Sequence, residues 1–87
     1  MTTATENNIL DVIRTEATKL VPGLDAERLR PEVHIADVGI ESVQMIELVA
    51  RVEEHFEVTL PDYELSGVET IGGLIALVVA AGSADGH

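Results

Sequence analysis

Apolar residues at helical spacing open the chain. Ile9, Ile13 and Ala17 recur every fourth residue, which places them on one face of a helix predicted over residues 5–21. Pro22 follows directly and cannot continue that helix, so it marks the predicted end. A second helix is predicted over residues 42–56. Its core stripe contains Met45, Leu48, Val49, Val52 and Phe56.

The long connection over residues 24–41 is too apolar for a free linker. Its apolar residues are Leu24, Leu29, Val33, Ile35, Val38 and Ile40. One helical turn is predicted at residues 25–29, before Pro31 interrupts it. Because loops of this length without structure of their own are uncommon and often functional, we expect the connection to lie across the core.

The remaining part of the chain predicts two further helices. Residues 56–60 alternate apolar and polar side chains, but so short a strand without a partner is unstable, so we predict an extended connector. A short helix follows at residues 63–65, and a last helix begins at Ile71, is capped by Thr70 and ends near Ala80. The predicted fold class is all-α: a small four-helix bundle with three main helices, one short helix and a long first loop.

Composition narrows the classes of function. Hydrophobic residues make up 46% of the chain, which is enough for a core, although the formal net charge is −11. That charge repels nucleic acid and anionic membranes and favours basic partners. The absence of cysteine excludes disulfides, thiolate metal sites and a thiol nucleophile.

We expect a single domain over residues 1–87, with an ordered core over about 5–81 and a frayed tail over 82–87. The longest uncharged apolar stretch, residues 71–81, is about half the ~20 residues that a membrane-spanning helix needs. The first residues lack the apolar segment of a signal peptide. These features predict a cytoplasmic monomer with no nucleic-acid or membrane partner.

The helix that begins at Ser42 carries apolar residues away from its core stripe. On a helical wheel Val43 and Ile46 lie on the other side, and the acids around them are Glu47, Glu53, Glu54 and Glu57. Apolar residues ringed by acids favour a docking face for a basic partner. Two ordinary explanations stay open: the apolar residues pack under the long connection, or the acids are a solvated surface.

Ser42 itself has two interpretations. Serine is a preferred N-cap, although Met45 three residues later is not the Glu or Gln of a capping box. Alternatively, a phosphate ester on its hydroxyl would face the positive end of the helix dipole. Catalysis is disfavoured because the G-x-S-x-G elbow is incomplete and His55 lies about 20 Å along the helix. His34 can approach Ser42, but a chain this small has little room for a substrate pocket.

A metal site is also disfavoured. His34, Asp37 and Glu41 have the spacing H-x2-D-x3-E, which matches no strong ligand pattern. We therefore predict neither catalytic nor metal-ligating residues.

Residues 38–43, Val-Gly-Ile-Glu-Ser-Val, resemble the L-G-x-D-S-L motif of acyl carrier proteins. The similarity continues in register. Residues 47–49 and 52–56 resemble the family's E-L-V and L-E-E-x-F, residues 58–62 its I-x-I-P-D connector, and residues 70–74 its T-V-G-D-L helix start. The resemblance covers about residues 9–79 and is strong because these pieces occur together.

The resemblance implies a four-helix bundle in which Ser42 carries 4'-phosphopantetheine, transferred from coenzyme A by a separate magnesium-dependent phosphopantetheinyl transferase. The arm would hold acyl groups as thioesters and deliver them to an acyltransferase, a ketosynthase or other acyl-processing enzymes with basic docking surfaces. The chain is then a non-catalytic carrier. The partner-binding residues that the resemblance implies are Glu41, Val43, Ile46, Glu47, Glu53, Glu54 and Val68.

Two departures from the family motif flank the serine. Glu41 replaces the usual Asp and is expected to weaken the helix start and to narrow which transferases accept the chain. Val43 replaces the usual Leu and shrinks an apolar contact. These flanks and the single lysine favour a polyketide-type carrier over a housekeeping fatty-acid carrier. A Met1 start and polar ends favour a discrete protein over a module excised from a synthase.

Two alternatives stay open. Within the class, a peptidyl or aminoacyl carrier is second, because such carriers usually have L-G-G-x-S where this chain has Ile40 and Glu41 before the serine. From another class, the chain is a non-carrier acidic helical adaptor in which Ser42 is only a helix cap.

Overall fold

The computed structural model describes residues 5–85. In that range it has four α-helices and no strand, which confirms the all-α prediction. The helices are α1 Glu6–Leu20, α2 Ser42–Phe56, α3 Asp62–Leu65 and α4 Ile71–Asp85. Two 3-10 turns, Ala26–Arg28 and Ile35–Val38, lie in the connection between α1 and α2.

The long helices bury the faces that the apolar spacing predicts. Helix α1 begins at its predicted cap, since the Thr5 hydroxyl accepts the Asn8 N–H at 3.3 Å. The fully or almost fully buried residues are Ile9, Ile13 and Ala17 in α1, Leu48, Val49 and Val52 in α2, and Ile71, Leu74, Ile75 and Val78 in α4. Met45 and Phe56 pack against this core from its edge, so the predicted stripe of α2 is confirmed.

The connection between α1 and α2 crosses the core, as its apolar content predicts. It buries Leu29, Ile35, Val38 and Ile40. Its first turn matches the predicted one, whereas the turn Ile35–Val38 was not predicted. The structure of this connection therefore comes from burial as well as from local propensity.

Backbone hydrogen bonds tie the connection to the start of α4. The N–H of Ile35 donates to the Glu69 carbonyl at 2.9 Å, and the N–H of Ile71 to the Val33 carbonyl at 3.0 Å. The N–H of Gly72 donates to the Pro31 carbonyl at 2.8 Å. These bonds satisfy amides that the first turn of a helix leaves free, and they hold the chain just before α2 in place.

The start of α4 agrees with the sequence prediction and its end does not. The Thr70 hydroxyl accepts the Gly73 N–H at 3.0 Å, so Thr70 is the predicted cap. The predicted end near Ala80 is wrong, because α4 continues to Asp85. Residues 80–84 contain three alanines and no proline, and alanine favours the helix strongly enough to offset one glycine. Gly86 and His87 of the predicted frayed tail lie outside the described residues.

Candidate functional site

Ser42 is the first residue of α2, so the alternative interpretation in which it is the helix cap is wrong. Glu41 occupies the cap position with extended backbone angles, φ −86° and ψ 171°. Gln44 is then the third helical residue, and its side-chain oxygen accepts the Glu41 N–H at 2.9 Å. This return bond belongs to the capping-box arrangement, which the sequence analysis missed by counting from Ser42 instead of from Glu41.

The Ser42 hydroxyl is therefore available for chemistry. Its residue is exposed, and its side chain makes no hydrogen bond within residues 5–85. Gly39 has a left-handed backbone, φ 87°, and turns the chain from the second 3-10 turn toward α2. Ile40 is buried directly afterwards and anchors this approach. The local chain thus presents the hydroxyl to solvent from a fixed backbone.

Ser42 is one of the residues that line an open groove of about 810 Å³, and we call it the front groove. It lies between α2, the second 3-10 turn and α3. Its apolar walls include Ile40, Met45, Val49, Leu60, Leu65 and Val68. Its polar lining includes His34, Glu41, Glu53, Asp62, Ser66 and Glu69. The groove is large enough for an apolar chain attached near Ser42 to lie against these walls.

The outer face of α2 has the exposed apolar residues that its wheel predicts. Val43 is 70% exposed and Ile46 is 69% exposed, so neither packs under the long connection. Glu47 and Glu54 on the same helix are also exposed. Arg51, the only Lys or Arg in residues 42–85, pairs instead with Glu16 of α1 at 3.1 Å. The acids of this face therefore keep an unneutralised negative field.

Two predicted partner-binding residues have structural contacts of their own. Val68 is half-buried, packs against the core and lines the front groove. Glu53 is also half-buried, and its carboxylate accepts the Leu60 N–H at 2.6 Å. Glu53 thereby fixes the connector between α2 and α3, a role that needs tertiary contact and has no pattern in the sequence.

Replacement of Glu53 by alanine should destabilise the fold by about 1–3 kcal/mol, because it leaves the N–H of buried Leu60 without its acceptor. Denaturant unfolding measures the loss, and amide hydrogen exchange should show faster exchange at Leu60. Glu53→Gln keeps an acceptor oxygen and should recover part of the stability. Glu54→Ala is the exposed control, and an equal loss in that variant would contradict the assignment.

The two histidines that the structure describes, His34 and His55, have surroundings different from those of a catalytic pair. His34 lines the front groove with Ser42, but no hydrogen bond joins them. His55 packs edge-on against Phe56, with ring centroids 4.8 Å apart. Among the side chains that the structure describes, those of residues 5–82, no group of three His, Asp or Glu is arranged to hold a metal ion. None of the helices in this range is long and apolar enough to cross a membrane.

Comparisons with known proteins place this site in a family. The model for the phosphopantetheine attachment site matches residues 15–78, which include Ser42 and the whole of α2. The polyketide biosynthesis acyl-carrier-protein AcpK of Bacillus subtilis is 35% identical over 69 residues, covering 79% of this chain and 84% of the relative. The meromycolate extension acyl carrier protein of Mycolicibacterium smegmatis is 29% identical over 76 residues, covering 86% and 76%.

A match also comes from a much larger protein. The non-reducing polyketide synthase pks11 of Talaromyces marneffei is 34% identical over 58 residues. These cover 67% of this chain but 2% of the synthase. Similar sequences therefore occur both in carrier proteins of similar length and within a much longer polyketide synthase.

Proposed function

This chain belongs to the family of phosphopantetheine-binding carrier proteins, and we propose that it is an acyl carrier of polyketide biosynthesis with Ser42 as the attachment residue. The observation that carries the proposal is the position of Ser42. Ser42 is exposed at the start of α2, its hydroxyl has no hydrogen-bond partner in the described part of the chain, and it lines the front groove. In the adaptor alternative Ser42 serves only as the helix cap. Because Glu41 is the cap, that alternative no longer explains why a serine stands at residue 42.

The residues around Ser42 fit the prosthetic group of the family. A phosphodiester on the hydroxyl would lie beside the first-turn N–H groups of α2, where the helix dipole favours negative charge. The front groove leads away from the same point and offers apolar walls to an attached acyl chain. When bound, 4'-phosphopantetheine supplies the thiol that this cysteine-free chain lacks.

The loading step requires only the hydroxyl of this chain. The Ser42 oxygen forms the new bond to phosphorus of coenzyme A, the adenosine bisphosphate portion leaves, and a base of the transferase takes the hydroxyl proton. The chain itself then acts as a non-catalytic carrier in the cytoplasm. The assignment to polyketide biosynthesis is supported by the similarity to AcpK, because the aligned residues cover 84% of that protein.

The test of this proposal is intact mass spectrometry of the purified protein before and after incubation with coenzyme A, magnesium and a broad-specificity phosphopantetheinyl transferase. We expect a mass gain of one phosphopantetheine. A folded protein that gains no mass with several transferases would refute the carrier assignment. Loading with malonyl-bearing arms followed by a polyketide ketosynthase then separates a polyketide carrier from a peptidyl carrier, which accepts aminoacyl groups instead.

We further propose that the phosphopantetheinyl transferase and the acyl-processing enzymes dock on the outer face of α2. Val43 and Ile46 supply apolar contact area, while Glu47 and Glu54 attract basic surfaces. Glu41 lies beside the attachment residue and is exposed as well. Apolar contacts in the centre of an interface contribute most of the affinity, and the surrounding charges mainly raise the association rate.

Ile46→Ala should raise the KM of the transferase for this carrier about tenfold with little change in kcat, since about 1.4 kcal/mol of binding is lost. Glu47→Lys should also raise KM, and more strongly at low salt. Steady-state kinetics at two ionic strengths measures both effects. Glu27→Lys, an exposed charge reversal in the first 3-10 turn, should behave as the unmodified chain. Equal effects at Glu27 would locate the attraction in net charge instead of in this face.

A further inference from the structure

Helix α4 is unlike a typical surface helix in having no charged face. From residue 71 through residue 84 it contains no Asp, Glu, Lys or Arg. Its inner face fills the core with Ile71, Leu74 and Val78. Its remaining surface is apolar too: Ala80 is exposed, and Leu77 is only half-buried. An amphipathic surface helix usually has charged residues on its outer face, so the outer face of α4 is unusually apolar for a face that contacts solvent.

A second open groove, of about 460 Å³, runs between this face of α4 and the connector from α2 to α3, and we call it the rear groove. Its floor and walls are Val58, Leu60 and Pro61 from the connector and Leu77, Ala80 and Ala81 from α4. The side chains are mainly aliphatic, and the groove is separate from the Ser42 opening. Such a surface is suited to side chains from one apolar face of a helix.

Charge at the rim limits what can occupy the rear groove. Glu57 and Glu64 line it, and residues 52–85 contain no Lys or Arg to neutralise them. A second copy of this chain would bring a net charge of −11 and the same acidic rim against this one. An anionic membrane surface is repelled for the same reason. A partner with Lys or Arg beside its apolar residues would make favourable contacts both with the apolar walls and with the acidic rim.

We propose that the rear groove is a docking site for a basic amphipathic helix of a partner protein. The apolar face of that helix lies against Leu77, Ala80 and Val58, and its flanking Lys or Arg side chains reach Glu57 and Glu64. The lining of this site shares only Leu60 with the front groove and includes none of Ser42, Val43 and Ile46. A partner can therefore hold the carrier at the rear groove while another enzyme acts at Ser42.

The connector gives this docking a direct structural link to the front groove. Leu60 lines both grooves, and its N–H is bonded to the carboxylate of Glu53 in the front groove at 2.6 Å. A shift of Leu60 when a partner binds in the rear groove would therefore also move a wall of the front groove, where an attached acyl chain would lie. The amide of Leu60 is a natural reporter of occupancy.

The test is a titration of the 15N-labelled full chain with a synthetic helical peptide of eighteen residues. The peptide has leucines on one helical face and lysines on the opposite face. We expect saturable shifts of the backbone amides of residues 57–60, 64 and 77–81, including the Leu60 amide. The same peptide with glutamate in place of lysine should bind at least tenfold more weakly. Because Ser42 takes no part, failure here leaves the carrier assignment untouched, and failure of loading leaves this site untouched.

Matched variants on α4 make the result specific. Ala80→Arg places a bulky cation in the rear groove and should weaken peptide binding at least tenfold. Ala76→Arg adds the same side chain at an exposed position that does not line the groove, and it should bind as the unmodified chain. Shifts confined to α2, shifts unaffected by Ala80→Arg, or no saturable binding would each overturn the proposal.

Discussion

Replacement of Ser42 by alanine should abolish phosphopantetheine loading completely while changing the free energy of unfolding by less than about 0.5 kcal/mol. The hydroxyl is the only group of this residue that the transfer requires. The helix start does not depend on it, because Glu41 is the cap and Gln44 provides the return bond at 2.9 Å. Intact mass spectrometry measures the first effect and denaturant unfolding the second.

The control is Ser66→Ala, which removes the other serine of the front groove. Its hydroxyl donates to the Tyr63 carbonyl at 2.9 Å, so it is a partnered group and not a free one. This variant should load like the unmodified chain. Loading of Ser42→Ala, or a stability loss of about 1–2 kcal/mol as an N-cap serine would show, would contradict the assignment.

Replacement of Gly72 by alanine should destabilise the protein by about 2 kcal/mol, within the range typical of overpacking. A Cβ atom at this position would lie 2.9 Å from the Pro31 carbonyl oxygen and 3.4 Å from the Pro31 Cβ. The same carbonyl accepts the Gly72 N–H at 2.8 Å, so the connection and α4 would have to separate and strain this bond. Thermal and denaturant unfolding measure the loss.

Gly73→Ala is the matched control because it introduces the same methyl group one residue later in the same helix. Its Cβ would meet Thr70 Oγ1 at 3.5 Å and Val68 Cγ1 at 3.6 Å, which are ordinary contacts. Alanine restricts the unfolded chain and favours the helix, so this variant should gain about 0.5–1 kcal/mol. Equal stability of the two variants would mean that the close approach to Pro31 does not constrain the fold.

Features of this fold that depend on residues close together in the chain could be predicted from the sequence. The spacing of Ile9, Ile13 and Ala17 predicts α1 correctly, since a helical period needs no information about the rest of the chain. Thr70 is equally well predicted as a cap because its bond spans three residues. The end of α4 was missed because the sequence has no proline or charged cap to mark it.

The sequence predicts Ser42 at a helix start and Val43 and Ile46 away from the core stripe of that helix, and the structure has these residues in those positions. The motif around Ser42, together with the wheel positions of Val43 and Ile46, depends on neighbouring residues within one helix. The alternative in which Ser42 is the cap is wrong by a single position. Glu41 has the extended backbone of a cap residue, and the side chain of Gln44, three residues later, accepts its N–H.

Local patterns along the chain are enough to predict the all-α class, the buried faces of α1 and α2, the acidic outer face of α2 and the place of Ser42 at a helix start. How these parts meet depends on tertiary contacts. The connection pairs with α4 because Gly72 lets the Pro31 carbonyl approach, and Glu53 reaches the Leu60 amide across a turn. Both grooves depend on where that connector lies. Such contacts join residues distant in the chain, and they form only when burial of the core has brought their backbones together.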